Sequence, residues 1–161
     1  VKKVVSPGSF DPITFGHLDI IKRASSLFDE VVVAVLVNKT KKSLFTVDER
    51  MEMIREVTSE YQNVTVASWS GLLVDYCEAN DIQAIVKGLR AVTDFDYELQ
   101  MSQMNLQLKG VETLFMSTAP AYSFLSSSLV KEIAAYDGDI SGYVPAQLVE
   151  RVKSALNNLN K

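Results

Sequence analysis

Lys2-Lys3-Val4-Val5-Ser6-Pro7-Gly8-Ser9-Phe10-Asp11-Pro12-Ile13-Thr14-Phe15-Gly16-His17 is the stretch on which the reading of the fold turns. Lys2–Ser6 is a short β-rich run. Pro7, Gly8, Pro12 and Gly16 then stiffen and bracket a turn. A helix is expected to open at His17, the only histidine of the chain. A strand that passes through a glycine-containing turn into a helix N-terminus is a ready anion site. The first amides of the helix have no partner within it, and the helix dipole is positive there. A lone imidazole is more often a surface or satisfied core residue. Set in this turn, it points to chemistry on a phosphate.

Outward from this segment, strand-like and helical runs alternate. Strands are expected over Lys2–Ser6, Val31–Asn38, Val64–Trp69, Ala84–Leu89 and Thr113–Ser117. They are short and β-branched, as buried parallel strands tend to be. Helices are expected over His17–Phe28, Thr46–Glu60, Leu72–Asn80, Thr93–Lys109, Ser126–Tyr136 and Pro145–Leu159. Leu18, Ile21, Ala24 and Phe28 make one apolar stripe. Thr46 and Glu49 have capping-box spacing, and Pro145 suits a first helical turn. The alternation predicts an α/β fold, a single-domain doubly wound five-stranded parallel sheet over residues 1–161.

Composition narrows the classes. The chain has 161 residues, 16 basic and 20 acidic side chains and a net charge of −4. No basic stripe dominates, which argues against nucleic acid as a partner. One cysteine, Cys77, excludes an intrachain disulfide and fits a reducing, cytoplasmic compartment. It is expected on an apolar helix face with Leu73 and Val74. The longest apolar run, Val31–Val37, is too short for a membrane span, and no signal peptide is expected. There is no Gly-x-Gly-x-x-Gly, no Walker A sequence and no Gly-x-Ser-x-Gly elbow.

In open parallel sheets, ligands sit beyond the carboxyl ends of the strands. The five segments following the strands are therefore expected to converge: Gly8–His17, Lys39–Lys42, Ser70–Leu73, Lys87–Arg90 and Tyr122–Ser128. Together they supply an imidazole, cations, hydroxyls and backbone donors, the makings of a polyphosphate pocket. Each piece alone also has a plainer explanation. Ser126-Ser127-Ser128 reads equally as an N-cap and as a phosphate cradle. Spacing does not choose among Lys39, Lys41 and Lys42. Lys87 and Arg90 emerge at the end of a buried strand, where Gly88 permits close backbone approach.

Gly8-Ser9-Phe10-Asp11-Pro12 with Thr14-Phe15-Gly16-His17 resembles the first signature of the nucleotidyltransferase superfamily, and Ser126-Ser127-Ser128-Leu129-Val130-Lys131 resembles the second. Lys41, Gly88-Leu89-Arg90-Ala91-Val92, Asp94-Phe95-Asp96-Tyr97-Glu98 and Tyr122-Ser123-Phe124 narrow the resemblance to the phosphopantetheine adenylyltransferase family, over essentially the whole chain. The resemblance implies a Rossmann-like nucleotidyltransferase fold. It implies adenylyl transfer from ATP to 4′-phosphopantetheine, giving dephospho-coenzyme A and pyrophosphate in coenzyme A biosynthesis.

Family roles then fall on positions of this chain. His17, Lys41 and Arg90 are implied as catalytic, with His17 stabilising the transition state at the α-phosphate. Ser9, Phe10, His17, Gly88, Leu89, Arg90, Glu98 and the run Tyr122, Ser123, Phe124, Leu125, Ser126, Ser127, Ser128 are implied to bind ATP. Ser9, Lys41, Leu73 and Lys87 are implied to bind the acceptor. Ser9 stands where many members have threonine, and Lys87 where many have arginine, which keeps the charge but loses the bidentate fork.

The resemblance further implies Mg2+ as cofactor, a homohexamer, restraint by coenzyme A, and neither nucleic acid nor membrane as partner. Leu72, Leu73, Tyr97, Met101 and Asn105 either accept the pantetheine arm or serve packing and subunit contact. The rival readings are a cytidylyltransferase or a nicotinate-mononucleotide adenylyltransferase, and, from a different class, a nucleotide sensor without turnover.

Overall fold

A computed structural model describes residues 2–161, and every side chain among them but that of residue 93. The strands are β1 (Lys3–Gly8), β2 (Glu30–Leu36), β3 (Val64–Trp69), β4 (Ala84–Leu89) and β5 (Glu112–Ser117). The helices are α1 (Phe15–Leu27), α2 (Val47–Thr58), α3 (Leu73–Ala79), α4 (Val92–Lys109), α5 (Ser127–Ala135) and α6 (Ala146–Leu159). All strand pairs are parallel, in the order β3-β2-β1-β4-β5. The architecture is the expected five-stranded, doubly wound α/β sheet. The β3 and β4 bounds are as expected, and β5 begins one residue earlier.

Period-two alternation divides the core between the two faces. Val4, Val31, Ala84 and Val86 pack with Ile20 and Ala24 of α1. On the same side, Val33 and Val35 join Ile13, Ile54, Val130, Leu148 and Val152, which brings in α2, α5 and α6. Val5, Val32, Ala34 and Ile85 face the other way, against Val74, Tyr76 and Cys77 of α3. Cys77 is thus a packing residue, and burial pushes its thiol up to about 11.

Every helix start differs from expectation by one or two residues. Thr14, not a residue next to His17, caps α1, so the helix opens at Phe15 and His17 is its third residue. The reason is reciprocal bonding between Thr14 and His17, a capping box closed by an imidazole instead of a carboxylate. Pro145 is the N-cap of α6 rather than its first residue. The long helix α4 has a mixed surface: Phe95, Tyr97, Met101, Met104, Leu106 and Leu108 are all exposed. No helix among the described residues is long and apolar enough to cross a membrane.

Candidate active site

The sheet opens where its order reverses. β1 pairs with β2 along its whole length, from Lys3↔Glu30 to Gly8↔Val35. It pairs with β4 only at Val4↔Ala84 and Val5↔Ile85. Beyond those pairs the two strands part. Pro7, which has no N–H to offer a ladder, lies in the parted stretch. A cavity of about 260 Å³ fills the gap, between Ser6, Pro7 and Gly8 on one wall and Val86, Lys87 and Gly88 on the other. This is the switch point at which open α/β sheets bind ligands.

The turn after β1 supplies the imidazole. Phe10 has φ 49, a left-handed backbone that costs a bulky residue energy. Its ring lies over Gly8, where an added Cβ would come within 3.1 Å of the ring. It also meets His17 edge-on, with centroids 5.0 Å apart. The N–H of Thr14 donates to Nδ1 of His17 at 3.0 Å. Nδ1 is therefore the acceptor, and the neutral ring carries its proton on Nε2. Burial, with the nearby positive charge of Arg90, lowers the imidazole from 6.5 to about 4. The ring is neutral at pH 7 and presents one N–H donor. The N–H of Gly16, beside it in the first turn of α1, has no protein acceptor among the described residues.

A second helix start faces the first. Ser126 caps α5, its hydroxyl accepting from the N–H of Leu129 at 3.1 Å. Ser127 donates its hydroxyl to the carbonyl of Pro12 at 2.7 Å, tying the two signature segments together. The N–H groups of Ser127 and Ser128 have no protein acceptor among the described residues. The three serines thus divide: one cap, one strut, and a third, Ser128, that is exposed. The anion-binding capacity lies in the amides more than in the hydroxyls.

Cations close the cavity. Arg90 is held by Asp94 at 3.0 Å and by the carbonyl of Leu125 at 3.0 Å. Lys87 faces α4, where it pairs with Glu98 at 3.4 Å. Gly88 faces α1 instead: a Cβ there would meet Ile20 at 3.0 Å. Leu89 does not line the cavity, but its carbonyl accepts from the N–H of Thr118 at 2.9 Å. That bond sets Thr118, a lining residue the sequence reading missed, against the strand end.

The cavity brings together ten of the anticipated residues. Phe10 and His17 come from the first turn, and Lys87, Gly88, Arg90 and Glu98 from β4 and α4. Tyr122, Leu125, Ser126 and Ser127 complete it. Others stand outside. Ser9 is exposed and offers its carbonyl to Arg50. Ser123 bonds to the carbonyl of Pro120, and Phe124 stacks edge-on with Tyr143. Lys41 is exposed in the loop after β2, and Leu73 opens α3 beyond β3. The expected convergence of all five strand ends is therefore narrower than the sequence suggested. β3 is the far edge of the sheet, two strands from the opening, and Ser70–Leu73 lie outside the cavity lining.

A strand-order reversal, two facing helix N-termini, an imidazole donor and a fixed arginine meet at one cavity, an arrangement suited to an anionic phosphate ligand. The family model described as cytidylyltransferase-like matches residues 5–133. The lipopolysaccharide core biosynthesis protein from Thermoplasma volcanium shares the fold, with a TM-score of 0.53 at 22% identity over 73% of this chain and 96% of that one. Phosphopantetheine adenylyltransferase from Thermobifida fusca is 58% identical over 161 residues, covering 100% of this chain and 98% of the relative. The enzymes of the same name from Streptomyces coelicolor and Frankia casuarinae are each 62% identical, over 98% and 97% of this chain and 99% of each relative. The chain belongs to the phosphopantetheine adenylyltransferase family.

Proposed function

We propose that this chain transfers the adenylyl group of ATP to 4′-phosphopantetheine, releasing pyrophosphate, with His17 as the donor that stabilises the transition state. The observation that carries this reading is the fixed Nε2–H donor of His17 at the cavity formed by the parting of β1 and β4. A phosphate oxygen of the acceptor attacks the α-phosphorus in line. The acceptor is its own anionic nucleophile, so the protein needs no nucleophile or strong base. Its task is positioning and charge stabilisation. A neutral imidazole suits this task, because it donates a hydrogen bond without losing its proton.

Arg90 and the N-termini of α1 and α5 hold the β- and γ-phosphates. Gly88, Leu89 and Glu98 shape the nucleotide side, with Tyr122–Ser128 closing over it. Lys87, Lys41, Ser9 and Leu73 serve the acceptor. Lys41, exposed in its loop, would offset repulsion between two anionic substrates once they are bound. Among the described residues no three His, Cys, Asp or Glu side chains are grouped to hold a metal. Mg2+, brought in on ATP, would neutralise part of the charge of the phosphates.

The span 1–161 is read as one nucleotidyltransferase unit, working in the cytoplasm. The bond from the N–H of Phe15 to the carbonyl of Tyr143, and the core that Leu148 and Val152 share with Ile21, support this unity. The apolar surface of α4, with Leu114 of β5 exposed beside it, supports self-association, and the family resemblance makes this a homohexamer. Coenzyme A, which carries the acceptor's arm, competes for the same pocket. Mass-spectrometric product analysis with Mg2+, ATP and 4′-phosphopantetheine tests the reaction. Dephospho-coenzyme A with matching pyrophosphate is expected. ATP binding without product overturns the acceptor assignment and favours a sensor.

A further inference from the structure

We propose that Asp11 and Arg50 are positioning residues that clamp the loop after β2 onto the Ser9–Phe10 turn, and so set the acceptor side of the site. Neither lines the cavity, and neither has an assigned role. Both are buried charged side chains, at 5% exposure each. Such groups persist only where their partners are well placed.

The carboxylate of Asp11 accepts two consecutive main-chain N–H groups from 33 and 34 residues away, Leu44 at 2.8 Å and Phe45 at 2.9 Å. Lys131 of α5 completes its shell at 3.1 Å. The guanidinium of Arg50 works in the other direction. Its Nη1 donates to the carbonyl of Ser9 at 2.8 Å and its Nε to the carbonyl of Thr46 at 3.3 Å. Residues 44–46 are thus bonded to residues 9–11 through the side chains of Asp11 and Arg50.

Two features give the clamp a purpose beyond packing. It flanks Phe10, whose left-handed backbone persists only where its surroundings over-determine it. Holding the Ser9 carbonyl also fixes the next amide, since a trans peptide points its N–H opposite its C=O. The N–H of Phe10 has no protein acceptor among the described residues. Arg50 thereby fixes the orientation of a free donor carried by Phe10, a residue that lines the cavity. On the other side, the clamp anchors the C-terminal end of the exposed loop that bears Lys41. The inference rests on Lys41 serving the acceptor, as read above.

Asp11→Asn is the test, because it turns one of two acceptors into a donor facing a donor at constant shape. Amide hydrogen exchange in the ligand-free protein is read beside both KM values. Exchange at Leu44 and Phe45 should accelerate about tenfold or more, with β1 and β4 unchanged. The KM for 4′-phosphopantetheine should rise about tenfold, and that for ATP by a smaller factor, because Ser9 and Phe10 also face the nucleotide. Unaltered exchange, or an equal rise in both KM values, overturns the clamp.

If Asp11→Asn fails to fold, Arg50→Lys carries the same readouts, since lysine keeps the cation but reaches only one of the two carbonyls. The two readings fail separately. Lys41→Ala with an unchanged acceptor KM overturns the role of Lys41. The exchange signature, measured without substrate, judges the clamp alone.

Discussion

Thr14 and His17 hold each other in both directions: the N–H of Thr14 donates to Nδ1 of His17 at 3.0 Å, and the N–H of His17 donates to the hydroxyl of Thr14 at 3.4 Å. One exchange caps a helix and fixes a tautomer. Removing the ring should therefore remove a donor and leave the nucleotide's other contacts. His17→Ala is expected to lower kcat by about 100-fold or more while ATP still binds. Steady-state kinetics beside calorimetric titration with ATP check both halves.

The lowered imidazole also predicts a pH dependence. The unfolded chain takes up a proton near 6.5 that the folded chain refuses until about 4. The unfolded state binds more protons between those values, so stability falls as pH drops through that window and is independent of this group above it. His17→Gln should flatten this part of the dependence in denaturant melts at stepped pH. In the unmodified enzyme, kcat/KM should show no inflection from His17 between about pH 5.5 and 8.

Gly88 is a sterically defined position. A Cβ there would lie 3.0 Å from Cγ1 and 3.2 Å from Cδ1 of Ile20, and 3.6 Å from the hydroxyl of Thr118. Ile20 is buried and must give way. Gly88→Ala should cost about 1–3 kcal/mol of stability and raise the KM for ATP. Ile20→Val, which deletes Cδ1, should recover part of both. Thermal melts and kinetics on the single and double variants decide this.

Much of this architecture could be read from the chain, and what could not has a common cause. β3 and β4 stand at the bounds their β-branched runs suggested, because buried parallel strands carry their signal locally. The start of α1 was misplaced by two residues, since a histidine closing a capping box lacks the usual Glu or Gln signature. His17, Arg90 and Lys87 were legible because they follow strands. Asp11, Arg50 and Thr118 were not. Their partners are chiefly main-chain groups, Leu44 and Phe45 for Asp11 and Ser9 for Arg50, dozens of residues away, and no spacing encodes those. Lys41 and Ser128 were legible as motif members, yet nothing in a motif says whether a side chain faces a cavity or solvent.

Lys87 and Glu98 neutralise one another at 3.4 Å, each side chain less than a third exposed. Lys87→Met should weaken an anionic acceptor and also strand the carboxylate at the cavity wall. The KM for 4′-phosphopantetheine should rise about tenfold, and Glu98→Gln in the same protein should recover part of it. Equal KM values for the single and double variants would show that the pair is not coupled to the acceptor.

Cys77 is buried in α3 and its thiol is raised to about 11. Iodoacetamide at pH 8 should modify the folded protein at least about a hundredfold more slowly than the denatured chain. Mass spectrometry against time reads this directly, and turnover should persist while the thiol stays unmodified.

The central claim is a neutral imidazole with its proton on Nε2, and the chain carries a single histidine to watch. Long-range 1H–15N correlation spectra of the ring, recorded across pH, report tautomer and titration without ambiguity of assignment. The account predicts the Nε2–H form at pH 7, with no titration until near 4, where burial and Arg90 place it. An Nδ1–H tautomer, or a midpoint near the ordinary 6.5, would contradict it.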